Sequence, residues 1–146
     1  MRYRFWLLTH RLAGWWRARL ARPTLGQRGE ALAARYLLRK GYRIVIRGSR
    51  MPGGEIDLVA LDGRTIVFVE VKTRTSADHG HPAEAVDDEK QRRLTRLALR
   101  LLKRHGLLDH PARFDVVAVT WPENRRRPTI EHFINAFPAA DLKQRF

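Results

Sequence analysis

Several charged side chains fall where this chain would ordinarily place apolar ones. Within GGEIDLVALDGRTIVFVEVKTR, residues 53–74, two β-rich runs flank an Asp-Gly pair, and Glu55, Asp57, Glu70 and Lys72 interrupt them. Asp-Gly is a strong two-residue hairpin signal. With Asp62-Gly63 as the loop, Leu61 pairs with Arg64, Val59 with Ile66, Asp57 with Phe68 and Glu55 with Glu70. Side chains alternate along a strand and paired residues point the same way. Glu55, Asp57, Glu70 and Lys72 then share one face at one end of the hairpin, while Ile56, Leu58, Val67, Val69 and Val71 share the other. Val59, Leu61, Ile66 and Phe68 extend the charged face as an apolar one, so both faces are expected to be covered.

Two carboxylates held together away from water lose their charge or destabilise the fold unless a cation joins them. Lys72 offsets one charge. A hard divalent ion, Mg²⁺ or Mn²⁺, satisfies the pair better, because it takes oxygen ligands and needs only one or two carboxylates beside water and phosphate. The expected ligands are Asp57, Glu70 and the backbone carbonyl of Val71. A Glu-x-Lys pair alone is also a common ion pair at a sheet edge, and a one-residue slip would divide the acids between faces.

Positioning these groups requires a layered α/β domain. Thr24 opens a helix with Gln27 completing a capping box, and Gly41 ends it. Its apolar side is Ala33, Ala34 and Leu37, yet Glu30 lies among them, where an ionised carboxylate seldom goes unpaired. A salt bridge, an edge position with the head in water, or a carboxylate aimed at a site would account for it. Tyr42–Ser49 reads as a first strand, followed by the hairpin. A long helix spans roughly Val86 to His105 on a Leu94, Leu97, Ala98, Leu101, Leu102 stripe. Arg113–Trp121 is a buried strand by its β-branched content, and Thr129–Phe137 a weaker last one. The expected fold is a mixed central sheet flanked by helices, in the order helix, three-strand antiparallel meander, helix, strand, extra strand.

The chain has 146 residues with 44% hydrophobic, enough for one domain with a core. It divides into a leader, 1–23, a domain, 24–137, and a tail, 138–146. Lys and Arg number 29 against 15 Asp and Glu, a net charge of +14. That surface attracts polyanions, nucleic acid ahead of an anionic membrane. The absence of Cys excludes thiolate chemistry, disulfides and Cys-type zinc sites and fits a reducing cytoplasm. His79-x-His81 lacks partners for a metal cluster. No apolar run approaches ~20 residues, and the start lacks a secretory cleavage pattern. The leader carries six Arg, no acid, and Trp6, Trp15 and Trp16, with Phe5, Leu8, Leu12, Trp15, Trp16 and Leu20 at helical spacing. It reads as a basic amphipathic helix, for packing on the domain, a dimer contact or a membrane surface.

Asp57 followed by Glu70-Val71-Lys72 resembles the PD-(D/E)XK signature of restriction-endonuclease-like nucleases. The segments GQRGEALAARYLLRKGY, GGEIDLVALD, IVFVEVKTR, DDEKQRRLTRLA and RFDVVAV together resemble the YraN-type bacterial family, which is similar to archaeal Holliday-junction resolvases. The likeness spans about Gly26 to Phe137. It departs at Gly48, where that family usually has Asn, and in the leader.

The resemblance implies a restriction-endonuclease-like core and a Mg²⁺- or Mn²⁺-dependent endonuclease acting on DNA, with no small-molecule cofactor. Asp57 and Glu70 match its metal-binding acids, Lys72 its active-site lysine and Glu30 the acid of its first helix. Glu55 ranks lower. Phosphate contacts are expected from Arg47, Arg50, Arg74, Lys90, Arg92, Arg93 and the Arg125–Arg127 run, giving salt-sensitive binding without base reading. Symmetric cutting of a junction would need a homodimer. A nucleic-acid-binding module without catalysis, or a peripheral membrane protein using the leader, are the alternatives. Asp115, at the start of an apolar strand, is expected to pair with an Arg or to orient the site.

Overall fold

A computed structural model of the chain describes residues 22–75, 86–122 and 126–140. The leader up to residue 21, His79-x-His81, Arg125 and residues 141–146 lie outside the described residues. The elements are α1 (Leu25–Arg39), β1 (Arg43–Met51), β2 (Gly54–Asp62), β3 (Thr65–Arg74), α2 (Asp88–His105), β4 (Ala112–Thr120) and β5 (Thr129–Phe137). One five-stranded sheet runs in the order β1-β2-β3-β4-β5. Its pairs are antiparallel except β3 with β4, which are parallel and joined across α2. This is the mixed α/β architecture expected from the sequence, a restriction-endonuclease-like core. Among the described residues no helix is long and apolar enough to cross a membrane.

The helices cover opposite faces. Ala33, Ala34 and Leu37 of α1 pack with Leu58, Ala60, Val67, Val69, Val117 and Val119. Leu94, Leu97, Ala98, Leu101 and Leu102 of α2 pack with Val59, Ile66, Phe68, Phe114 and Val116. Neighbours in sequence thus serve opposite layers, which is the period-2 rule applied to a sheet buried on both sides.

Both helix starts are fixed by side chains. Thr24 Oγ1 accepts from Gln27 N at 3.2 Å, and Gln27 Oε1 accepts from Thr24 N at 2.9 Å, the reciprocal box the sequence announced. Asp87 Oδ1 accepts from Lys90 N at 2.8 Å, so the cap of α2 sets the turn that carries Lys90.

α1 approaches β3 through a missing side chain. A Cβ added at Gly29 would overlap Thr73 Oγ1 and lie 3.0 Å from Thr73 Cβ. Ala in place of Gly normally favours a helix by ~1 kcal/mol. Here overpacking reverses the sign, and Gly29→Ala is expected to destabilise by about 1–3 kcal/mol. A urea titration checks this; an unchanged or higher midpoint contradicts the close contact.

The hairpin differs from expectation in register. Leu61 pairs with Ile66, Val59 with Phe68 and Asp62 with Thr65, a two-residue displacement that makes Gly63-Arg64 the loop. Gly63 has φ +57°, and no positive φ occurs at Arg64. A glycine at the first central position marks the type II′ turn, which competes with the Asp-Gly reading of the same letters. An even displacement leaves every side chain on its face. Ile56 is the exception: it packs in the α2 layer with Val59 and Phe68 rather than with Leu58. The β2–β3 ladder ends at Leu58↔Val69, and beyond it β2 leans toward α2. A Cβ added at Gly54 would sit 3.1 Å from Leu97 Cδ1.

Candidate active site

The site lies where β2 and β3 part. Asp57 follows Ile56 out of the ladder, and its Oδ2 accepts from Val71 N at 2.8 Å. The carboxylate thus fills a place that a β2 backbone carbonyl would take had the strands stayed paired. On β3, Glu70 is buried with 6% exposure. Its Oε1 accepts from Lys90 Nζ and lies 3.3 Å from Lys72 Nζ. Among the described residues, Asp57 Oδ1 and Glu70 Oε2 carry no hydrogen bond. Each acid is anchored through one oxygen and offers the other.

The titration behaviour follows. Burial, then the charge of Glu70, pushes Asp57 up to about 7, although the Val71 amide opposes this. Glu30 is half-buried, and burial followed by Glu55 and Glu70 raises it as well. Four carboxylates, Glu30, Glu55, Asp57 and Glu70, therefore crowd this end of the sheet. On the ammonium side, burial and then Lys90 lower Lys72. Burial also works against the charged form of Lys90, but its bonds to Glu70 and Lys72 outweigh it and raise the group.

The structure brings Glu70, Lys72 and Asp57 together where β2 and β3 part, with Glu30 of α1 near enough to act on Asp57 electrostatically. Glu55 is exposed at the edge and pairs with Arg50 at 3.5 Å. Lys90, expected among phosphate-binding cations, sits on Glu70 instead. The signal was present: Lys90 precedes Leu94 and Leu97 by four and seven positions, so it heads the buried stripe of α2. Arg47 and Arg93 are exposed, Arg93 lying beside Gly54. Arg74 ends β3, where its carbonyl accepts from Trp121 N at 2.8 Å. Val71 contributes its N–H to Asp57, a role the reading of its carbonyl did not include.

The donor chemistry suits a hard divalent ion. Two uncommitted carboxylate oxygens beside a third acid are oxygen-only donors. Among the described residues there is no group of three or more His, Cys, Asp or Glu with metal-holding geometry; Mg²⁺ takes one or two carboxylates and fills the rest with water and phosphate.

Asp115 is fully buried on the α1 face, away from Glu70. Its Oδ1 accepts from Arg113 Nε and Asn135 N, both at 2.9 Å, and its Oδ2 lies 2.8 Å from His132 Nε2. Arg113 also donates to Tyr42 Oη at 3.0 Å and pairs with Asp62 at 3.0 Å. The cluster holds the irregularity between Phe114 and Val116 in the β4–β5 ladder, where Asn135 adopts φ +52°. It is structural.

The family model for "Uncharacterised protein family UPF0102" matches residues 29–119, a span that contains every acid and lysine of the site. The chain belongs to UPF0102. A UPF0102 protein of Rhodopirellula baltica is 53% identical over 121 residues, 81% of this chain and 72% of the relative. One from Geobacter sulfurreducens is 54% identical over 118 residues, covering 80% and 90%. One from Geobacter metallireducens is 50% identical over 121 residues, covering 83% and 98%. UPF0102 membership agrees with the YraN-type resemblance. The Gly48 departure also gains a physical sense, because Gly48 has φ +57°, a conformation Gly and Asn both enter. The exchange keeps backbone shape.

Proposed function

We propose that this chain is a divalent-metal-dependent endonuclease hydrolysing DNA phosphodiesters. One observation carries the reading: Asp57 and Glu70 meet closely enough, partly shielded from water, that burial and the charge of Glu70 push Asp57 to about 7, while among the described residues each has an oxygen without a hydrogen bond. Such a pair is stabilised by a cation, and a phosphate diester is the substrate class that a basic surface of net charge +14 attracts. Mg²⁺ or Mn²⁺ held by Asp57 and Glu70 would supply Lewis-acid polarisation of a phosphoryl oxygen.

The chain's own groups do the rest. The Val71 amide fixes the orientation of Asp57. Lys90 neutralises Glu70 Oε1 and leaves Lys72 beside it, on the burial-lowered side of its range, to orient water or stabilise developing negative charge. Glu30 closes the site from α1. Arg47, Arg50, Arg74 and Arg93 are the candidate phosphate contacts, which favours selection by DNA shape over sequence.

The test is incubation of the full chain with branched and linear DNAs in Mn²⁺, Mg²⁺ or EDTA. Cleavage is expected in either metal and absent in EDTA, and Glu70→Gln is expected to lower it by on the order of 10²–10³-fold. Cleavage that survives Glu70→Gln, or DNA bound and never cut, overturns the reading; the second outcome points to a binding module without catalysis.

A further inference from the structure

A groove of about 390 Å³ runs along the outer side of α1 toward the β4–β5 end of the sheet. Arg28 and Arg35 of α1 line it with Trp121 and Arg126, and Gln27 and Leu32 lie between them. All three arginines are exposed. Among the described residues that line the groove none is acidic, and none of the three arginines forms an ion pair. Among the described residues, three like charges converge in a concavity with no acid lining it. The Arg28 guanidinium lies over the Trp121 ring, 4.9 Å from its centroid, which turns the pair into a layered platform.

The backbone that carries the groove adjoins the backbone that carries the site. Trp121 N donates to Arg74 O, two residues beyond Lys72. Gly29, between Arg28 and Glu30, rests on Thr73.

We infer that this groove binds an unpaired stretch of nucleic acid flanking the scissile phosphate, with its phosphates on Arg35 and Arg126 and a base on the Arg28–Trp121 stack. Duplex bases present only their edges, so a flat platform inside a groove has a partner only when a strand is unpaired. The cations track the backbone, as single-strand grooves do. That the bound strand is the substrate's own flank rests on the nuclease reading; binding itself does not.

The experiment is fluorescence anisotropy on the full chain in EDTA, with a labelled oligothymidine and a blunt duplex of equal length. Arg35→Ala/Arg126→Ala is expected to weaken oligothymidine binding about tenfold and duplex binding about twofold. The log–log salt slope for the oligothymidine should fall in magnitude by about 1.4, from ~0.7 per phosphate contact. Arg28→Lys keeps the charge and loses the plane, and is expected to weaken oligothymidine binding severalfold and leave the duplex unchanged. Equal losses on both DNAs, or no loss on either, overturns the inference. A chain that binds oligothymidine through these arginines but cuts no DNA keeps the groove and loses the nuclease. A nuclease whose Arg35→Ala/Arg126→Ala variant binds and cuts tailed and blunt DNA alike loses the groove and keeps the chemistry.

Discussion

Asp57→Asn should make the metal-free protein more stable at pH 8 and end its metal response. Asp57 ionises near 7 in the fold against an ordinary value of 3.8. The folded state therefore holds a proton that the unfolded chain has released. Stability is unaffected below about pH 4, falls as pH rises between the two values, and stays low above about 7. A window of about three pH units, at ~1.4 kcal/mol each, amounts to on the order of 3–4 kcal/mol. Asn removes the titration, so the variant should unfold on the order of 10 °C higher at pH 8 and at the wild-type temperature near pH 4. Mn²⁺ or Mg²⁺ should raise the wild-type midpoint at pH 8 by mass action and leave the variant unmoved. Differential scanning calorimetry at both pH values, with and without metal, reads all four quantities. A variant no more stable than wild type at pH 8 removes the charge conflict on which the metal argument stands.

Asp115→Ala should show the opposite pattern, and a large one. Burial alone would raise Asp115, but bonds from His132, Arg113 and the Asn135 amide outweigh it and hold the carboxyl below its ordinary range. An acid depressed in the fold contributes stability above its unfolded value and loses it as pH falls through the folded one. Removing the carboxylate leaves a guanidinium, an imidazole and a backbone N–H without their shared acceptor. Breaking a buried network in this way costs about 3–5 kcal/mol. Urea midpoints at pH 7 should fall accordingly, and the gap to wild type should narrow toward acid pH. Asp115→Asn retains an acceptor oxygen and should fall between. A loss under about 1 kcal/mol for Asp115→Ala would show that β5 keeps its irregular path without this anchor.

The sequence made the site legible through contradiction rather than through propensity. Asp57, Glu70 and Lys72 stood out because each broke an alternation, and Glu30 because it broke a helical stripe. Parity placed Glu70 and Lys72 on the layer of Val59 and Phe68 even though the register was off by two, since an even displacement preserves faces, but it failed at Ile56, which packs on that same layer. Parity could not show β2 leaving the ladder at Leu58, because that depends on how closely Gly54 lets α2 approach. Nor could it give the meeting of Lys90 with Glu70, which needs the phase of α2 relative to β3 across an intervening loop. The Arg28–Trp121 groove was out of reach for the same reason. Its parts are 93 positions apart in the chain, and no local period connects them.

Glu30 comes from α1, Asp57 and Glu70 from the central hairpin, and Lys90 from α2, which covers the opposite layer. During synthesis the hairpin with Lys72 leaves the ribosome before Lys90 does, so Glu70 has one ammonium partner from its own strand and gains the second only when α2 follows. Any hydrolytic potency is then a property of the finished three-layer body alone. A half-made or partly opened chain carries its acids with only the partners the hairpin itself supplies.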